Sequence, residues 1–244
     1  MEDWFTTWFN SHYYHILYKD RNLEEAAKFT DNLVSHLGLP PRSKVLDLAC
    51  GKGRHSLQLH KAGYDVVGVD LSEESIEEAK IHEKDGLEFF VHDMRHLYWT
   101  EYFDLVVNLF TSFGYFHNAD DDQKTISSVA DALKPNGIFV LDFMNAVKVI
   151  DNLVESEEKA IEGVQFKLKR EVEGGIIRKR IHLIDGELEQ NYEEQVDALK
   201  LEDFQKYFEH AGLELVSVFG DYELKPFNET ESDRLILIGQ KIAA

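Results

Sequence analysis

The sequence predicts an α/β fold: a doubly wound, mostly parallel seven-stranded sheet with an antiparallel β-meander inserted after the fifth strand. Two patterns carry this expectation. From residue 44 to residue 143, mostly apolar segments of strand length alternate with amphipathic helical segments, as in a parallel sheet covered on both faces. After residue 150 the rhythm becomes short runs of alternating apolar and polar residues broken by Gly174-Gly175 and Asp185-Gly186, as in an antiparallel ribbon with one wet face.

Each element follows from local signals. Leu23, Ala26, Phe29, Leu33 and Leu37 share one helical stripe, with Gly38 as a cap and Pro40-Pro41 as a stop. A strand over residues 44–49 leads to a short helix ending at Gly63. "YDVVGVD" is the second strand, and the helix after it opens at Ser72 with Glu73 and Glu74 in its first turn, where the helix dipole favours acids. "LEFFVHD" and "FDLVVNLF" are the third and fourth strands. A helix with Ile126, Val129, Ala130 and Leu133 inward then reaches the turn "KPNG" and the fifth strand "IFVLDF". "VQFKLKREVE", "IIRKRIHLI" and "ELEQNYEEQV" form a three-stranded meander, "LKLEDFQKYFEHAG" a helix, and "LELVSVFGDY" and "RLILIGQK" the last two strands. Neither an internal repeat nor a low-complexity linker is evident. One domain over 1–244 is therefore expected, with a helical lid over 1–38 and a β subdomain over 160–197.

Composition narrows the function. With 46 acids against 26 bases the net charge is −20, which repels a phosphate backbone and argues against duplex nucleic acid as a partner. No apolar run is long enough to span a membrane, and the N-terminus mixes acids with aromatics, unlike a signal peptide. The single cysteine, Cys50, fits a reducing cytoplasm and reads as a small apolar filler.

Ligands of doubly wound sheets bind outside the carboxyl ends of the strands. Gly51, Asp70, Asp93 and Asn108 each end a strand and should meet at one crevice. The glycine-rich turn "VLDLACGKGRHS" suits either a dinucleotide or a sulfonium nucleoside. A dinucleotide fingerprint wants a third glycine, which His55-Ser56 replaces. Asp70 fits both ligands, because each offers a ribose diol. Asp47, ahead of the glycines, would repel a pyrophosphate but hold an ammonium, and Asp93 can accept from an adenine amine. Three acids suit a ligand carrying ammonium and sulfonium charges.

"VLDLACGKG", "VVGVDLS", "VHDM", "FDLVVNLFTSFGYF" and "LKPNGIFVLDF" resemble, in order and spacing, the class I, Rossmann-like S-adenosylmethionine-dependent methyltransferases. The resemblance spans nearly the whole chain and departs in placing Ala49 at the first glycine of the motif. It implies S-adenosylmethionine as cofactor and S-adenosylhomocysteine as product. Asp47, Ala49, Gly51 and Gly53 would wrap the methionine portion, and Asp70 would hold the ribose. Leu71 would pack on adenine, Asp93 and Met94 would address its edge and face, and Asn108, Leu109 and Phe110 would line the methyl-bearing side.

"NLFTSFGYF" lacks the proline-rich turn of DNA amino-methyltransferases and is similar to the corresponding run of small-molecule N-methyltransferases. "YYHILYKDR" is similar to the opening segment of those enzymes, which makes Tyr18 and Arg21, and less directly Tyr14, cofactor-binding candidates. Trp4, Trp8, Tyr13 and Tyr14 read equally as an aromatic lid. Lys167, Lys169, Arg170, Arg178, Lys179 and Arg180 concentrate base in the insertion, as a solvated strand face or an anionic-acceptor site. His12, His15, His92 and His117 could approach the crevice, and no catalytic residue or metal is assigned. The expectation is methyl transfer to a small-molecule amine or hydroxyl, with a nucleobase-modifying enzyme and a non-catalytic cofactor-binding module as alternatives. A homodimer is compatible with the sequence.

Overall fold

The computed structural model describes residues 4–19, 23–96 and 99–243, excluding the side chains of residues 4–6, 23 and 25. In chain order, helices α1 (Trp4–Phe9), α2 (His12–Leu17) and α3 (Leu23–Leu37) precede β1 (Lys44–Leu48). There follow α4 (Arg54–Lys61), β2 (Asp65–Asp70), α5 (Glu73–Lys80), β3 (Leu87–Val91) and β4 (Phe103–Asn108). Next come α6 (Ala119–Ala132), β5 (Leu133–Met144) and α7 (Ala146–Asp151). The insertion is β6 (Ser156–Ile161), β7 (Val164–Glu173), β8 (Ile176–Asp185) and β9 (Leu188–Asp197). The chain closes with α8 (Leu201–His210), β10 (Leu213–Phe219) and β11 (Arg234–Lys241).

The main sheet has seven strands in the order β10-β11-β5-β4-β1-β2-β3. The pairs β1·β2, β1·β4, β2·β3 and β4·β5 are parallel, and β11 runs antiparallel to β5 and β10. The chain moves outward from β1 to β3 and returns on the other side at β4. The order therefore reverses between β1 and β4, where a crevice opens. Apolar side chains fill both faces. Phe29, Leu33, Leu59 and Ile76 of α3, α4 and α5 pack with Val45, Leu87 and Phe89 on one face. Ile126, Val129, Phe204 and Phe208 of α6 and α8 pack with Leu46, Leu48 and Phe139 on the other. Ser72 caps α5 by accepting from the Ser75 amide, and Asn118 caps α6 by accepting from the Asp120 amide.

Three expectations need correction. Leu133 ends α6 as its cap and begins β5, so "KPNG" lies within a long, irregular strand whose register against β4 shifts between Phe103 and Leu105. The insertion is a four-stranded sheet, β6-β7-β8-β9, running from Ser156 to Asp197. Its first strand, "SEEKAI", is nearly all exposed, so it lacks the alternation that marks a half-buried strand. The first 38 residues also divide: α3 covers the main sheet, whereas Trp8, Ile16 and Leu17 of α1 and α2 pack on Phe166, Leu168, Ile181 and Leu183 of the insertion.

Asp122 is buried in the first turn of α6, where Tyr207 of α8 donates to its Oδ2 at 3.4 Å. Burial, followed by the neighbouring Asp197, pushes its carboxyl up to about 7. The unfolded carboxyl titrates near ~3.9, so the native state keeps a proton that the unfolded chain releases, and stability falls as pH rises through this window. Asp122→Asn removes that dependence. Its melting temperature should match the parent near pH 4 and exceed it increasingly up to pH 7–8, for a gain of at most about 4 kcal/mol. Parallel melting curves across that range would refute the assignment.

Candidate functional site

A cavity of about 410 Å³ opens at the carboxyl ends of the central strands. Ala49, Gly51, Asp70, Leu71, Asp93 and Met94 line it on the sheet side. Leu109 and Phe110 line it beyond β4, and Tyr18 comes from the end of α2. Three predicted residues lie behind the wall. Asp47 is buried and accepts from the Ser56 hydroxyl of α4. Burial pushes its carboxyl up to about 6, against the Ser56 hydrogen bond. Gly53 caps α4 at φ 80°, where an added Cβ would meet the Phe89 ring at 2.7 Å. Asn108 is fully buried and donates to the Leu48 carbonyl at 2.9 Å. These three shape the loop from beneath. Arg21 lies outside the described residues, as does the Trp4 side chain.

Asp70 joins two loops. Its Oδ2 accepts from the Gly51 amide at 2.7 Å and its Oδ1 from the Ser72 amide at 2.8 Å. Burial raises its pKa, while the Ser72, Gly51 and Leu71 amides pull it back. Leu71 beside it is 38% exposed, an apolar shelf on the cavity floor. Asp93 is engaged by its own neighbour: Nε and Nη2 of Arg95 donate to it at 3.1 and 2.6 Å, and the Arg95 amide at 2.9 Å. Burial opposes ionisation there, but Arg95 outweighs it and holds the carboxyl below its usual range.

These contacts decide between the two nucleotides. The Gly51 amide, which would receive a phosphate in a dinucleotide site, is taken by a carboxylate. An anion placed there would face Asp70, whereas a ribose diol can donate to the lone pairs that Asp70 keeps. Ala49 adopts φ 60° and Gly51 φ 54°, so the alanine at the first motif position takes the left-handed backbone that glycine usually provides. Cys50 is buried, and burial drives its thiol pKa upward with Asp47 and Asp70 adding to the shift. It is a packing residue.

Several wall residues carried no assignment from sequence. Phe9, Asn10, Thr111, Ser112, Tyr115 and Phe116 all line the cavity. The last four lie inside the motif "FTSFGYF", which signals the region without saying which side chains turn inward. Of the four histidines named from sequence, His15 and His92 reach the wall, and His55 of α4, not among them, does so too. His117 pairs instead with Asp197 at 2.7 Å.

The turn after β4 depends on a network that sequence did not reveal. Phe110 and Thr111 both have positive φ, 62° and 59°. The buried carboxylate of Asp142 on β5 receives the Phe110 amide at 2.8 Å, and its carbonyl receives the Thr111 amide at 2.9 Å. Arg234 on β11 donates to Asp142 Oδ1 at 2.8 Å and to Thr111 Oγ1 at 3.0 Å. The Phe110 ring stacks on Tyr222, with centroids 5.3 Å apart, and lies under the Arg54 guanidinium at 4.0 Å.

The basic residues of the insertion fall on both faces. Arg178 and Arg180 pair with Glu171 and Glu193, Arg170 with Glu157, and Lys179 with Glu194. Charge neutralised in this way disfavours an anionic-acceptor site; Arg180 lies on a solvated face, whereas Lys179 is nearly enclosed on the other.

A doubly wound sheet with an acid ending β2, another just past β3 and a glycine-rich turn after β1 defines a nucleoside-cofactor site. A family model described as a methyltransferase domain matches residues 40–212, and the chain belongs to that family. It is an S-adenosylmethionine-dependent methyltransferase. It is 28% identical over 230 residues to a glycine/sarcosine N-methyltransferase of Aphanothece halophytica, covering 91% of this chain and 83% of that protein. It is 31% identical over 131 residues to the dTDP-3-amino-3,4,6-trideoxy-alpha-D-glucopyranose N,N-dimethyltransferase of Streptomyces venezuelae, covering 53% and 54%. The fold matches an S-adenosylmethionine-dependent methyltransferase structure from Clostridium acetobutylicum with a TM-score of 0.80 and 24% identity, over 95% of this chain and 96% of that one.

Proposed function

We propose that this enzyme methylates the nitrogen of a small amine. The observation that carries this is a chain of aromatic rings on the cavity wall. Phe9 meets Tyr14 at 5.1 Å and Tyr115 at 5.4 Å, and Tyr14 meets Tyr18 at 5.0 Å, all between ring centroids. Aromatic faces attract an alkylammonium and tolerate the neutral amine, and a chain of net charge −20 draws cations toward it. Two of the relatives are named for N-methylation, which agrees with this choice over a hydroxyl acceptor.

When bound, S-adenosylmethionine supplies a methyl group on a sulfonium, already a good leaving group. The protein's part is binding, alignment and exclusion of water. Asp70 would clamp the ribose diol, and Leu71 and Met94 would sandwich the adenine. Asp93, held by Arg95, would face the adenine edge. Ala49 and Gly51 would pass the methionine portion, with Asp47, Gly53 and Asn108 supporting that loop. Leu109, Phe110 and Tyr18 would border the methyl, and Arg21 would meet the carboxylate. Holding both reactants in line can supply roughly 7–11 kcal/mol of rate enhancement, and the rings keep water from the sulfonium.

The test is a panel of small primary and secondary amines, alcohols and carboxylates incubated with methyl-labelled cofactor, with mass detection of the labelled product. Label on amine nitrogen is expected. Label confined to oxygen, or to nucleic acid added in parallel, rejects the proposal.

A further inference from the structure

The inner face of the inserted sheet has an apolar centre, crossed by one row that carries charge on all three of β7, β8 and β9. Leu168, Ile181 and Tyr192 pair across β7, β8 and β9, and so do Val172, Ile177 and Val196. Between these rows the same register aligns Arg170, Lys179 and Glu194. Lys179 and Glu194 are nearly enclosed, with side chains 13% and 14% exposed and an ion pair at 3.4 Å. Placing charges in an apolar face costs desolvation and seldom adds net stability, but it can fix one arrangement of the packed surfaces.

What this row fixes is the segment carrying α1 and α2. Glu194 accepts from the Trp8 indole at 2.7 Å and from the Tyr18 hydroxyl at 2.6 Å. Lys179 donates to the same hydroxyl at 2.6 Å and lies 4.6 Å from the Tyr18 ring centroid. Tyr18 is thus held between an ammonium and a carboxylate, in charge-assisted bonds stronger than neutral ones. Its ring borders the cavity, next to Tyr14.

We infer that Glu194 and Lys179 are positioning residues for cofactor binding: the insertion sets Tyr18 on the cavity wall, and the grip of the lid on S-adenosylmethionine runs through that contact. The inference rests on the cavity being the cofactor site with Tyr18 at its edge. It gives the inserted sheet a task, and it explains why the alternation of β8 and β9 is broken by paired charges at this one row.

The test is calorimetric titration of the intact protein with S-adenosylhomocysteine, a binding readout independent of turnover. Tyr18→Phe and Glu194→Ala should each weaken binding about tenfold, the loss of a hydrogen bond to a charged group. The double variant should be no weaker than the worse single, because the Tyr18–Glu194 contact that Tyr18→Phe removes is already lost in Glu194→Ala, which also loses the Trp8 indole. Glu194→Gln, which keeps one acceptor oxygen, should recover part of the loss. Glu193→Ala, on the opposite face with Arg178 and Arg180, should bind as the parent does. Unchanged affinity in Glu194→Ala while Asp70→Ala is impaired overturns the inference and leaves the cavity reading standing. Unchanged affinity in Asp70→Ala as well removes both. Additive losses, or an equal loss in Glu193→Ala, overturn it by reducing Glu194 to general support of the sheet. If Glu194→Ala does not fold, the cycle of Lys179→Met with Tyr18→Phe gives the same decision.

Discussion

Asp70→Ala is expected to lower the affinity for S-adenosylhomocysteine by about a hundredfold or more while leaving the chain folded. Two hydrogen bonds from a ribose diol to a carboxylate would be lost, each worth roughly 1.5–3 kcal/mol. The side chain also ties the Gly51 and Ser72 amides together at 2.7 and 2.8 Å, so its removal loosens the loop that faces the methionine portion. Asp70→Asn keeps one acceptor and should fall between the two. Asp93→Ala should cost about tenfold or less, because Arg95 already occupies that carboxylate and the apolar contacts of Leu71 and Met94 remain. Calorimetric titration of the three variants orders them. A larger loss at Asp93 than at Asp70 would exchange their proposed roles.

The contrast between these acids marks what the sequence conveys. The place of Asp70 on the cavity wall was legible because an acid ending an apolar strand, about twenty residues after a glycine-rich turn, sits at the carboxyl edge of the sheet where the crevice opens. The parallel sheet was legible for a similar reason, since buried strands read as apolar runs whichever neighbours they find. Asp47 looked equivalent, but an acid inside a strand can project to either face. Here it projects beneath the loop, against Ser56. Strand β6 was invisible because an edge strand that is mostly exposed carries charge where alternation is expected, with Ile161 alone supplying a large apolar side chain. Contacts between distant segments were least legible. Alternation in "RKRIHLI" puts Lys179 on the face opposite Arg178 and Arg180, but nothing local says that it meets Tyr18, 161 residues away. The meeting depends on the register of three strands.

Arg234→Met is expected to be the most destabilising single change considered, at about 3–5 kcal/mol, because it leaves the Asp142 carboxylate charged and buried without its cation. For a chain of this size that corresponds to a fall in melting temperature of roughly 6–20 °C, measurable by scanning calorimetry. Asp142 is fully buried and its Oδ2 already holds the Phe110 amide, so the carboxylate cannot turn to water without releasing the turn. That turn has two consecutive non-glycine residues at positive φ, a conformation disfavoured by about 1–2 kcal/mol per residue, which persists only while its amides are held. Adding Asp142→Asn to Arg234→Met should restore part of the stability: a neutral amide oxygen can still accept from Phe110, and no charge is stranded. Cofactor affinity should stay impaired in the double variant, because Thr111 has lost the Arg234 contact and Phe110 lines the cavity. A melting temperature for Arg234→Met within a degree of the parent would mean that the buried pair does not hold the turn. The placement of the methyl-bearing side would then have to come from the Phe110 ring itself, stacked on Tyr222 and lying under Arg54.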